Sequence, residues 1–333
     1  MQDPLIAVEA AGQPPVAFSG SRLTWRDLPR SVRARIAQLA GAAVSSETSA
    51  TSGFSPGFAA VLELGDGSEV FVKAVSAEQN PQSPELARRE IVVAAALPPE
   101  VNAPRLLWSD DDGTWVILCF EAVHGRSPEQ PWRNDELDRV LAAVTDLATV
   151  RPLEPNSLRS IASTLADDFH GWRTIAAAPS TGRAQGAAVF GPRGAWVLAH
   201  LDELAEWERG WVDAAAGTGL VHGDLRADNV LLDNDRTWLV DWPHAAIGAP
   251  WLDLAFMLPS VEMQGGGLAD DLFWSHPVAV GVAPHALRSV LAALAGYFTL
   301  SSHQAPPIGV PNLRRFQHAQ AAVALDWLRR LPD

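Results

Sequence analysis

The sequence predicts an α+β fold in two lobes: a small N-terminal lobe with a five-stranded antiparallel sheet and one main helix, and a larger, mostly helical C-terminal lobe. Three observations lead there. Before residue 121, five short runs alternate apolar and polar residues between turn signals. A single helical pattern separates the third run from the fourth, giving the order β-β-β-α-β-β. Beyond Gly125 the apolar spacing becomes that of helices, with only brief strand signals. A chain of 333 residues has room for such a two-part architecture.

Taken in order, Asp27 is the expected N-cap of a helix carried by Val32, Ile36 and Leu39, with Pro29 near its first turn. Strands are expected over Ala42–Thr51, Phe58–Leu64 and Ser68–Val75, the last two joined by the hairpin turn Gly65-Asp66-Gly67. A helix over Glu85–Leu97 follows Pro84 and stops at Pro98-Pro99, and strands over Pro104–Trp108 and Trp115–Phe120 flank the turn Asp110–Gly113. The lobes are therefore placed at 1–120 and 126–333, joined by a hinge over 121–125. In the second lobe helices are expected over Asp135–Ala148, Leu158–Ala176, Ala195–Ala215, Pro284–Thr299 and Leu313–Leu331. Ala178–Gly194, rich in loop residues and without periodicity, reads as a surface loop.

Composition narrows the functional classes. Hydrophobic residues make up 47% and charged residues 19%, which is globular and excludes wholesale disorder. Acidic residues exceed basic ones by 39 to 25, and a formal charge of -14 disfavours nucleic acid as a partner, since binding it requires phosphate neutralisation. That charge serves solubility or steers a cationic ligand. The single cysteine, Cys119, makes neither an internal disulfide nor a CxxC metal knot. With no secretory pattern in Met1–Gly12 and no apolar stretch of ~20 residues, the expectation is a cytoplasmic protein without a membrane partner. The oligomeric state stays open.

The strongest local signal is Leu220–Leu232, which contains His222-Gly-Asp224, Arg226 and Asn229, followed by Trp238–Trp242, which contains Asp241. Two apolar strands bracket a tight polar loop, and the turn Asp233–Arg236 folds Asp241 back toward it. Phosphoryl transfer needs one carboxylate near the attacking hydroxyl and oxygen ligands that hold magnesium against nucleotide phosphates. Asp224, Asn229 and Asp241 supply these groups. Upstream, every basic residue but one is arginine, and the exception is Lys73. It is either an ordinary strand lysine or a compact cation kept for a phosphate.

On these residues the chain, over roughly Gly53 to Phe256, resembles the aminoglycoside phosphotransferase and choline kinase type of small-molecule kinases, which share the protein kinase-like fold. The resemblance implies that Asp224 is the catalytic base, that Asn229 and Asp241 bind Mg2+, that His222 braces the loop, and that Asp253 supports its backbone. It implies an ATP cofactor, with GTP left open. Lys73 and a glutamate of the following helix would grip the phosphates; Glu90 is preferred to Glu85 for its apolar neighbours Ile91 and Val92. Ser55 and Gly57, in Ser52–Gly57, would lie in the loop over the phosphates, although a plain hairpin turn looks the same. Glu121 and Val123 would hold adenine through backbone groups.

Two features depart from protein kinases. Asp241 is followed by Trp242-Pro243, which favours a small-molecule acceptor over a protein. Arg226 is either a second cation for the transferred phosphate or a surface arginine paired with Asp228. For the acceptor, Trp242 and Trp274 offer an aromatic wall, and Glu262 and Asp270, flanking Gly265–Gly267, an acidic rim; core packing and a solvated loop are the alternatives. The expected activity is phosphate transfer to a hydroxyl of an aminoglycoside, related antibiotic or amino sugar. A housekeeping kinase for choline, ethanolamine, homoserine or a sugar is the first alternative, and a silent nucleotide-binding regulatory module the second.

Overall fold

The computed structural model describes residues 22–50, 56–151, 158–182 and 192–332. Its N-terminal part is a sheet of β1 (Arg22–Leu23), β2 (Val44–Ser49), β3 (Gly57–Leu64), β4 (Glu69–Ser76), β5 (Leu106–Asp111) and β6 (Trp115–Glu121). The order is β1-β3-β4-β6-β5, with β2 also on β3. Five of these strands match the expected ones. The sixth, β1, is an addition, and it runs parallel to β3 while every other pair is antiparallel.

Period-two alternation gives the sheet two different faces. Val70, Val72 and Ala74 of β4 pack with Leu62 and with Val32 and Ile36 of α1 (Arg30–Ala40). Phe71 and Val75 look the other way and pack with Ala87 of α2 (Ser83–Ala96). Lys73 shares the parity of Phe71 and Val75, so it emerges beneath α2. That helix buries Ala87, Glu90 and Val93 at helical spacing, which turns Glu90 toward the sheet.

Asp27 is not the N-cap of α1. Its carboxylate accepts from the backbone N–H and hydroxyl of Thr24, closing a turn before the helix, and Pro29 occupies the cap position. An Asp two residues before a proline satisfies the local turn more cheaply than the helix end.

The helical part surrounds one continuous apolar cluster that includes Trp172, Phe273 and Trp327. Its axis is the apolar helix Pro284–Ser302, which packs most extensively on Leu313–Arg330. Although long and apolar, it is interior; among the described residues no helix is long and apolar enough to cross a membrane. The expected helix Leu158–Ala176 is two short ones, Ile161–Thr164 and Gly171–Ala177. The second begins at a close crossing: a Cβ on Gly171 would stand 2.0 Å from the Gly296 carbonyl oxygen, so only glycine fits there. The expected helix Ala195–Ala215 is likewise three pieces, Pro192–Ala199, Leu201–Arg209 and Trp211–Ala214, interrupted at His200 and Gly210.

Between these layers lie two small ribbons. β7 (Gly219–Val221) pairs antiparallel with β10 (Ala246–Gly248), and β8 (Val230–Leu232) forms a hairpin with β9 (Thr237–Leu239). The polar loop 222–229 leaves β7 and enters β8, so both ribbons hold its ends.

Candidate active site

The loop is anchored from below by Asp253, at the start of the helix Leu252–Met263 and only 3% exposed. Its two oxygens accept the backbone N–H groups of His222 (2.8 Å) and Gly223 (2.9 Å). Gly223 has φ 82°, and a Cβ there would lie 2.6 Å from the His244 carbonyl oxygen, so only glycine fits this turn. His222 is fully buried: its Nε2 donates to the Val240 carbonyl (3.0 Å) and its Nδ1 accepts from the Asp224 N–H (3.3 Å). Those two contacts select the neutral Nε2–H tautomer. Trp242 packs on the same imidazole at 4.4 Å and donates its indole N–H to the Leu239 carbonyl. Trp242 is therefore interior packing, 3% exposed, and not an acceptor wall.

Burial pulls His222 down to about 4 and pushes the Asp253 carboxyl up to about 6. The two groups act oppositely on acidification. Below about 6.5 the unfolded chain protonates its histidine and the fold does not, so the His222 contribution to stability is lost as pH falls toward 4. The fold takes a proton on Asp253 before the unfolded chain does, so that contribution grows as pH falls through 6. Each amounts to about 3 kcal/mol over its window, and below pH 6 they nearly cancel. Asp253→Asn should therefore lose stability more steeply than the wild type between pH 6.5 and 4 in urea denaturation. Parallel profiles would contradict this assignment.

Above the anchor, Asp224 meets two partners. Arg226 Nη1 donates to Asp224 Oδ1, while Arg226 Nε and Nη2 form a fork on Asp228, both at 3.0 Å. Arg226 is thus paired with Asp228 as one reading expects, but as a half-buried bridge between two carboxylates rather than a surface arginine, its side chain 15% exposed and its ring neighbour Phe316 5.8 Å away. Asn229 Nδ2 donates to the Asp224 carbonyl oxygen (2.7 Å) and to its Oδ2 (3.3 Å). With its nitrogen committed, the carboxamide presents Oδ1 as its acceptor. Burial raises the Asp224 carboxyl above its ordinary range, while Arg226 opposes the shift.

Lys73 joins this loop to the sheet. Its ammonium sits 2.7 and 2.9 Å from the two oxygens of Glu90 and 2.6 Å from Asp241 Oδ1. Glu85 instead faces solvent, 3.6 Å from Arg89. Burial works against the Lys73 charge, but Asp241 and Glu90 more than offset it and hold it protonated. Burial also opposes the Asp241 charge, yet the ammonium pulls that carboxyl down to about 2. Asp241 has φ 68°, in the left-handed region that non-glycine residues seldom occupy, directly after the β9 hairpin.

Lys73, Asp241 and Asn229 line one cleft together with Glu121 and Val123. The Glu121 side chain turns outward to Arg105 and its backbone N–H donates to the Arg105 carbonyl (3.0 Å), which leaves the Glu121 carbonyl for the cleft. Gly57 begins β3 at φ 120°, crowded against the Ala74 carbonyl and Val75. Ser55 lies outside the described residues.

The other acceptor candidates are bonded elsewhere. Glu262 lies nine positions beyond Asp253 on the same helix, roughly 13 Å along its axis, and is bound to the Ala269 N–H and to Arg330. Asp270 accepts the indole N–H groups of Trp274 and Trp327. These side chains tie helices together. Two groups that the sequence reading missed are Tyr297, whose hydroxyl burial and the charges of Asp168 and Asp224 hold protonated, and Asp168, next to Phe169, which packs on the Tyr297 ring at 6.2 Å. Asp168 itself is solvent-exposed, in the turn between Ile161–Thr164 and Gly171–Ala177. Tyr297, the chain's single tyrosine, was the available sequence signal; Asp168 fell inside an expected helix.

Residues 51–277 match the phosphotransferase enzyme family. The chain belongs to that family. The segment contains Lys73, Glu90, Asp224, Asn229, Asp241 and Asp253. This phosphotransferase is similar in structure to aminoglycoside phosphotransferase APH(4)-Ia, at 18% identity over 90% of this chain and 98% of that one, with a TM-score of 0.57. It is also similar to choline kinase LicA from Streptococcus pneumoniae, at 12% identity over 89% and 98% of the chains and a TM-score of 0.57. A choline/ethanolamine kinase family protein from Mesorhizobium loti aligns at 17% identity over 90% and 98%, with a TM-score of 0.50. These likenesses carry the protein kinase-like fold. No curated protein matches the phosphotransferase at the sequence level.

Proposed function

We propose that this phosphotransferase moves the γ-phosphoryl group of ATP, with magnesium, to a hydroxyl of a small amine-bearing molecule such as an aminoglycoside, a related antibiotic or an amino sugar. The observation that carries it is the ion-pair chain Glu90–Lys73–Asp241, which ends beside Asn229 and the Asp224 carboxylate. In this reading Lys73, oriented by Glu90, binds nucleotide phosphate oxygens, and the backbone at Glu121 and Val123 holds the base. Asp224 orients the acceptor hydroxyl and takes its proton, and Arg226 fixes the carboxylate that does so.

The donor set fits magnesium. Asn229 Oδ1 and Asp241 are hard oxygen ligands, and among the described residues no cluster of three or more His, Cys, Asp or Glu side chains forms a self-sufficient cage. Magnesium commonly binds through one or two protein oxygens plus phosphates and water. When bound it would neutralise charge on the transferred group. An amine-bearing acceptor suits Asp168 and Asp224 around Tyr297 and the formal charge of -14. A structure of an APH(4)-Ia variant holds ADP and hygromycin B together, which agrees with this pairing of ligands.

The test is ADP release from Mg-ATP across aminoglycosides, cationic peptide antibiotics, amino sugars, choline and homoserine. Stimulation by an aminoglycoside or amino sugar is expected. Stimulation by choline or homoserine alone would replace it with the housekeeping kinase, and silence with intact Mg-ATP binding would favour a regulatory module.

A further inference from the structure

We propose that Arg22 is a second cation of the nucleotide cleft, brought to the phosphates by β1 from outside the segment that defines the family. The inference deepens the proposed function and rests on it. β1 pairs parallel with the start of β3, placing Arg22 opposite Gly57 and Leu23 opposite Phe58. Leu23 packs against the α1 side of the sheet. Strand alternation therefore turns Arg22 to the other face, where Lys73 emerges. There it lines the same cleft as Lys73, Asn229 and Asp241.

The electrostatics fit an anionic ligand. Burial lowers Arg22 from its ordinary value, and Asp241 acts in the opposite sense, so the guanidinium stands within the field of the residue that Lys73 already neutralises at 2.6 Å. Two cations then face a carboxylate pair of which Glu90 is committed to Lys73. A di- or triphosphate entering this cleft brings its negative charge between the two cations, Lys73 and Arg22, that line it. Arginine adds what lysine lacks, a planar fork that binds two phosphate oxygens at once. Gly57, opposite Arg22, is itself held close to β4, where a Cβ would stand 3.0 Å from the Ala74 carbonyl oxygen and from Val75.

Calorimetric titration of the full-length protein with Mg-ATP, Mg-ADP and adenosine tests this. Arg22→Gln should weaken ATP and ADP binding about tenfold or more and leave adenosine unchanged, as expected for loss of a charged hydrogen bond to phosphate. Arg22→Lys should recover part of the loss. Unchanged ATP and ADP affinities in Arg22→Gln would overturn the inference, as would an equal loss for adenosine, which marks a collapsed cleft. Should Arg22→Gln melt early, Arg22→Lys decides by the same comparison: selective weakening of ATP and ADP supports the role, and parallel or absent change removes it. A wild type that binds none of the three would overturn the phosphotransfer reading and this inference together, whereas wild-type binding insensitive to Arg22 overturns the inference alone.

Discussion

Replacing Asp224 by asparagine should lower turnover by about 10³-fold while Mg-ATP binding stays within a few-fold of the wild type. The separation follows from where the residue lies. Asp224 is not among the residues that line the cleft with Lys73, whereas Asp228, Asn229 and Asp241 are. Asparagine matches the carboxylate in shape and keeps an oxygen for Arg226, but it accepts no proton from an attacking hydroxyl. Because burial raises the Asp224 carboxyl, the acidic limb of the wild-type rate profile should lie above the ordinary carboxylate range and disappear in the variant. Steady-state ADP release with an acceptor that stimulates the wild type, beside calorimetry with Mg-ATP, measures both arms. Turnover within tenfold of the wild type would remove Asp224 from the base position.

What the sequence revealed of this site, and what it hid, divides along the range of the interactions. His222 to Asn229 is one continuous loop between two strand signals, and Asp241 follows one short hairpin later, so local chemistry brings them together. The Lys73–Glu90 pair is legible for a different reason than the apolar neighbours that favour Glu90 over Glu85: Val92 is 60% exposed, and Ala87 and Val93, three positions either side, turn Glu90 inward. β1 was not accessible: two residues carry no periodicity, and its parallel partner lies 35 positions away. The acidic rim failed for another reason. A sequence lists the charges of Glu262 and Asp270 but not Arg330, Trp274 and Trp327, the partners that consume them. Asp168 was hidden because Leu158–Ala176 has helical spacing throughout, whereas the chain turns between Ile161–Thr164 and Gly171–Ala177 and leaves Asp168 in that turn.

Asp241→Asn tests the metal side of the site, and its effect should reverse with magnesium. In the protein without ligand the Asp241 charge is balanced by Lys73 at 2.6 Å, so the variant keeps Lys73 on Glu90 and remains folded. Asparagine also tolerates the left-handed backbone at φ 68° better than most residues, which avoids adding strain. With magnesium present, loss of an anionic oxygen ligand should weaken ATP binding by about 10- to 100-fold, as for loss of a charge-assisted contact. With magnesium chelated, the same substitution removes a negative charge facing the phosphates and frees Lys73 to meet them, so affinity should hold or rise. Titrations with ATP in magnesium and in chelator, on both proteins, give the four values required. Equal Mg-ATP affinity in the two proteins would take the metal away from Asp241; a loss of the same size in both media would instead make it a general support of the cleft.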